Sequence, residues 1–136
     1  MSLSGVGNFT LILKPDGSVY STGVNTFGQL GHGDNDNRYI PTLIPFFVFS
    51  QVSTGAAFAL ALDFNGMLYS WGNNSFGQLG TSDTIHRHRP TLVDGYRFKE
   101  ISANRTHSIA LDFHGFSYGW GENRYGQSSQ RNITWN

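Results

Sequence analysis

Five histidines are the residues of this chain with the most obvious chemical capacity. The stretch HRHRP places His86 and His88 at i and i+2, on one side of an extended segment, where two imidazoles could ligate a metal. The nearest third ligand is Asp83. The equivalent earlier stretch, DNDNRYIP, keeps Arg38 but has no histidine, so the segment reads as a solvated inter-strand loop and no metal site is expected. His107 precedes Ser108 in NRTHSIALD, a base beside a hydroxyl. Adjacent residues of a strand point to opposite faces, so the pair reads as structural. Asp63 and Asp112 occupy equivalent places in successive units. They read as openers of hairpin turns, accepting from nearby backbone N–H groups. GHGD (31–34) and GVG (5–7) lack the lysine, the spacing and the following helix of a phosphate loop. With no cysteine, a disulfide framework, a zinc knuckle and a thiol nucleophile are excluded. The reading is of a non-enzymatic chain with no cofactor.

Composition points the same way. The 136 residues suit one domain, and nine basic side chains balance nine acidic ones. That balance leaves no global field for nucleic acid or an anionic membrane, although Arg87, Arg89, Arg97 and Arg105 lie among aromatics. Few charges, many aromatics and 17 glycines suggest short strands joined by tight turns. No apolar run reaches the ~20 residues that span a bilayer. The opening MSLSGVGNFTLILKPDG has no basic segment followed by a long apolar core, so nothing reads as a signal peptide. The Asn-x-Ser/Thr triplets at Asn8, Asn73, Asn104 and Asn132 read as accidental, and the expected location is intracellular, cytoplasm or nucleus.

What positions these residues is a repeat. GVNTFGQLG (23–31), GNNSFGQLG (72–80) and GENRYGQSS (121–129) recur at intervals of 49. So do Leu13, Leu62 and Leu111, Gly17, Gly66 and Gly115, and Tyr20, Tyr69 and Tyr118. Approximate units run 3–51, 52–100 and a truncated 101–136 within a single domain. In unit two, FALAL, a turn ending at Gly66 and MLYSWG read as a hairpin. RPTLV (89–93) reads as a short third strand beginning near Pro90 and suited to an edge, and YRFKEIS (96–102) as a fourth. Four short antiparallel strands per unit make a propeller blade, an all-β fold.

Each unit combines a Ser/Thr/Ala-apolar-x-Leu strand, Gly-x-x-Tyr-x-Trp-Gly and Asn-x-x-Phe/Tyr-Gly-Gln-Leu-Gly. This resembles the regulator of chromosome condensation (RCC1-type) repeat, a blade of a seven-bladed β-propeller. The repeat motif falls on Gly23, Phe27, Gly28 and Gln29, then Trp71, Gly72, Phe76, Gly77 and Gln78, then Trp120, Gly121, Tyr125, Gly126 and Gln127. Kelch glycine pairs and the Trp-Asp signature are absent. Thr22 stands where Trp71 and Trp120 occur, Phe9 and Phe58 replace the histidine kept as His107, and unit three loses its Leu-Gly. Light sensing of the plant UV-B receptor kind is not implied, because its extra tryptophan is missing before Asn104-Arg105.

About 2.7 blades do not close a ring. The outer faces of the first and last blades should then expose aromatic and leucine side chains, at ~25 cal/mol per Å². A fragment of a longer propeller, a homo-oligomer completing a ring and a capped short array all remain open. Trp71, Phe76 and Leu79 are expected to pack within and between blades, and Gln78 to hydrogen bond loop backbone. The expected function is a protein-interaction scaffold binding a protein partner. The loops that differ between units supply the candidate surface: Asp34, Asp36 and Arg38 in the first, Asp83, His86, Arg87, His88 and Arg89 in the second. The resemblance implies a second reading, guanine-nucleotide exchange on a Ran-like small GTPase. It also implies a third, chromatin binding, which would be strongly salt-dependent.

Overall fold

Each unit is organised by a hairpin that a glycine closes. Gly17, Gly66 and Gly115 have φ of 90°, 82° and 88°, a left-handed region that other residues resist. The amide of Gly66 donates to Asp63 O at 3.1 Å and that of Asp63 to Met67 O at 3.0 Å, which locks the turn. As expected, Asp63 Oδ1 accepts from the Asn65 and Met67 amides at 2.8 and 3.0 Å. Asp112 does the same with His114 and Phe116, and its other oxygen accepts from the Tyr118 hydroxyl at 3.0 Å. Burial pushes the Asp112 carboxyl up, but those amides and that hydroxyl outweigh it and hold it below its ordinary value.

A computed structural model describes residues 2–4 and 8–122. Ten strands lie in this region: β1 (Ser2–Ser4), β2 (Phe9–Leu13), β3 (Val19–Gly23), β4 (Arg38–Leu43), β5 (Gln51–Thr54), β6 (Phe58–Leu62), β7 (Met67–Gly72), β8 (Arg87–Asn104), β9 (His107–Asp112) and β10 (Ser117–Gly121). All pairings are antiparallel. The first blade is the sheet β1-β2-β3-β4. The second is β5-β6-β7 with the first part of β8, and the third begins with the last part of β8. The sequence motif at Tyr125, Gly126 and Gln127 lies outside the described residues.

Two expectations change. RPTLV and YRFKEIS are one continuous strand that begins at Arg87 within HRHRP, paired to Gly72, so only His86 of that stretch stays in the loop. From Phe98 onward β8 pairs with β9, so this segment is the innermost strand of the third blade, not the fourth of the second. The innermost strand of blade two is β5, one repeat earlier. Between β4 and β5 the same path is broken. Pro45 there has no N–H to give, and Phe46 has a φ of 73°.

The cores lie between blades. β6 is buried on both faces. Its large side chains, Phe58, Leu60 and Leu62, join Val93, Phe98, Ala110 and Trp120 toward blade three. Its small ones, Ala59 and Ala61, face blade one and leave room for Phe9, Leu11, Phe49 and Trp71. Each large aliphatic so buried contributes about 1.5–3 kcal/mol. The Trp71 indole donates Nε1–H to Gln29 O at 2.9 Å, across the interface. Trp71 and Leu79 are fully buried as expected, whereas Phe76 is 42% exposed. On blade one the registers Leu3–Ile12, Ile12–Tyr20 and Tyr20–Leu43 place four apolar side chains in one row. Leu3 and Leu43 of that row are exposed, in line with an open first face, and the Lys14 ammonium lies 4.6 Å from the Tyr20 ring.

Candidate functional site: the loop rim

Two loops, 24–37 and 73–86, leave the ends of β3 and β7 on one rim. Each is built on an asparagine. Asn74 Oδ1 accepts from the Leu79 amide at 3.0 Å. Its Nδ2 faces Thr81 Oγ1, Asp83 O, Asp83 Oδ1 and Ile85 O at 2.9–3.1 Å. Asn25 repeats this: its Oδ1 accepts from Leu30 N, and its Nδ2 faces Asp34 O, Asp34 Oδ1 and Asp36 O, all at 3.0 Å. Both asparagines are fully buried. Oxygens gathered in this way resemble a cation cage, but an amide N–H₂ occupies each centre. Among the described residues no group of three or more His, Cys, Asp or Glu could hold a metal.

The charges of these loops are turned on one another. Arg38 forks onto Asp34 at 2.9 Å for both bonds, and Arg87 onto Asp83 at 3.2 and 2.8 Å. The Arg38 guanidinium holds the Asp34 carboxyl well below the usual carboxylate range, and Arg87 lowers that of Asp83 to about 2. Gln29 and Gln78 close the turns, each accepting from the amide two residues earlier at 2.8 Å.

Three of the remaining candidates, His86, His88 and Arg89, touch the preceding unit. His86 Nδ1 accepts from Asn74 N at 3.0 Å, and its ring meets Phe27 edge-on with centroids 5.0 Å apart. His88 lies against Gly28, and its carbonyl accepts from Gly33 N at 2.8 Å. The Arg89 guanidinium covers Gly33. His86 and His88 thus serve packing between loops. Asp36 and Arg89 are the two candidates whose charged groups have no ion-pair partner among the described residues.

Serine and histidine meet at Ser21 and His32, and are merely adjacent in sequence at His107 and Ser108, and neither pair forms a nucleophile. Ser21 Oγ donates to Leu30 O at 2.7 Å and lies 2.8 Å from His32 Nε2. Its proton is already committed, so His32 donates and cannot act as base toward it. Burial holds the His32 pKa below its ordinary value, and Arg38 adds to the effect. Ser108 Oγ donates across the blade boundary to Gln78 O at 2.7 Å, while burial also lowers His107.

The asparagine cages escaped the sequence reading. Their signal was present: Asn25, Asn74 and Asn123 recur at intervals of 49.

No curated protein matches the chain by sequence. Among solved structures, human WBSCR16 superposes with a TM-score of 0.84 at 24% identity, covering 90% of this chain and 33% of that one. Yeast RCC1 (Prp20), solved with Kap60 bound, gives 0.77 at 25% over 88% and 29%. Saccharomyces cerevisiae Prp20p, described with its binding properties to Gsp1p and histones, gives 0.78 at 24% over 90% and 33%. The chain spans about a third of the length of these proteins. The regulator of chromosome condensation (RCC1) repeat matches residues 16–62 and 65–111, and a second form of it matches 2–29, 49–78 and 98–127. The chain therefore belongs to the regulator of chromosome condensation (RCC1) repeat family.

Proposed function

We propose that this chain is a non-enzymatic, intracellular protein-interaction scaffold whose partner binds the loop rim. One observation carries the reading. The buried Asn25 and Asn74 satisfy the loop interiors and fix their shape, so outward side chains stand on a rigid frame at little entropic cost. Those outward groups are mixed: Tyr39, Phe76 and Ile85 are exposed apolar surface, and Asp36 and Arg89 are charges without an ion-pair partner. Buried aromatic anchors rimmed by charge are the usual composition of a binding surface. The test is capture of a cross-linked partner by the wild type and by Ile85→Ser with Arg89→Ala, two side chains outside the asparagine cages. Undiminished capture by the double variant would remove this rim. Asp83→Ala and Arg87→Ala, which disturb the loop itself, should reduce capture further.

The likeness to yeast Prp20 favours a second reading, in which the partner is a Ran-like GTPase and the rim promotes release of its nucleotide. Release of labelled GDP from such a GTPase should accelerate with added chain. A flat time course would eliminate exchange while leaving the scaffold reading intact.

A further inference from the structure

The opposite rim carries the hairpin turns and the linkers between blades, and here unit one departs from unit two. Val-Asp-Gly-Tyr-Arg-Phe (93–98) becomes Ile-Pro-Phe-Phe-Val-Phe (44–49). Phe46 takes the place of Gly95 and keeps a left-handed backbone, φ 73° against 128°. A bulky side chain in that region is a strained outlier. The Phe46 side chain gains no packing in return, since the residue is 93% exposed. Val48, in place of Arg97, is 54% exposed. Phe64, 65% exposed, lies over Gly17 of the adjoining turn, where a Cβ would come within 2.9 Å of its ring. Phe46, Val48 and Phe64 line a cavity of about 240 Å³ with Asp63 and Tyr69.

One carboxylate, Asp63, lines this cavity, and a second, Asp16, adjoins the Gly17 that Phe64 covers. Asp63 gives Oδ1 to its turn, and no bond to Oδ2 is made among the described residues. Asp16, next to Gly17, likewise gives Oδ1 to Ser18. The cation of the same turn, Lys14, lies over the Tyr20 ring and still lowers the Asp16 carboxyl from its ordinary value, after the Ser18 hydrogen bonds that dominate that shift. The patch therefore offers an apolar anchor site with negative charge beside it, Asp63 within its lining and Asp16, which Lys14 offsets in part, at the adjoining turn.

We propose that Phe46, Val48 and Phe64, with Asp16 and Asp63, dock a partner segment carrying a large apolar side chain flanked by arginine or lysine. A second copy of this chain fits less well, because its matching rim would bring carboxylates to carboxylates. This surface is distinct from the loop rim and stands or falls separately.

The test uses the full chain and three fluorescein-labelled peptides of equal length: basic with Phe and Leu, acidic with Phe and Leu, and basic with Ser in place of the apolar residues. Anisotropy should show the first binding roughly tenfold or more tighter than either other, with an affinity that falls as salt rises. Phe46→Gly, which installs the residue of unit two, should abolish that preference with a melting temperature unchanged or higher. Ile85→Ser with Arg89→Ala should leave it intact. Equal binding of the three peptides, unaltered selectivity in Phe46→Gly, or a lower melting temperature in that variant would overturn the proposal. So would concentration-dependent self-association abolished by Phe46→Gly, which would assign the patch to a second copy.

Discussion

The two rims of the blade array treat polarity in opposite ways. On the loop rim, carboxylates, guanidinium groups and amide nitrogens are satisfied by one another around Asn25 and Asn74. On the turn rim, Phe46, Val48 and Phe64 stand exposed beside carboxylates that each keep one oxygen for another donor. The charges of Asp34, Arg38, Asp83 and Arg87 are thus a poor guide to binding, because each has its partner within the loop, unlike those of Asp36 and Arg89. Residual capacity, an unsatisfied atom or an uncovered ring, separates a frame from a contact.

Gly72→Ala should break the comparison most severely. Its φ is 104°, and a Cβ would lie 2.5 Å from Ala57 O, a backbone atom with little room to move. A loss of about 3 kcal/mol or more is expected, read by thermal unfolding, because the second loop leaves the sheet at this residue. Asn74→Ala comes next. It strips Leu79 N, Asp83 O and Ile85 O of their common partner, at about 2–3 kcal/mol by urea denaturation, and Asn25→Ala should match it. If either cost under about 0.5 kcal/mol, the loops would not be held as described.

Acid should act on the loop rim more gently. The folded carboxyl of Asp83 lies at about 2, below the unfolded value of 3.8. Its contribution is therefore fully present above pH 4 and is lost as pH falls toward about 2. Urea midpoints measured across that range should decline, and Arg87→Ala should flatten the decline. The smallest effect belongs to the turn rim: Phe46→Gly should stabilise by up to about 1 kcal/mol, because strain is relieved and no packing is lost. Destabilisation there would show that Phe46 is part of the core and erase the contrast between the rims.

Much of this was legible beforehand. The hairpins, their closing glycines and the Asp63 and Asp112 turns followed from alternation and turn chemistry, which are local. Trp71 and Leu79 read correctly as interface residues, but Phe76 did not. Its counterpart Phe27 is half-covered by His86 of the following unit, a contact that no local pattern encodes. The strand reading failed at 89–102 for the same reason. Where a strand stops is set by which neighbours continue the ladder, and β8 has β7 on one part and β9 on the other.

The candidate site divides along that line too. Asp34, Arg38, Asp83 and Arg87 were visible as donors and acceptors, but residue types do not tell whether a charge faces a partner or its own loop. The sequence by itself determined the period, the blade hairpins and the family, because spacing and side-chain alternation act over a few residues. Only the tertiary structure decided that those arginines are committed inward and that Phe46 points outward in a strained backbone. Satisfaction of a hydrogen bond and burial of a ring depend on atoms brought together from distant parts of the chain.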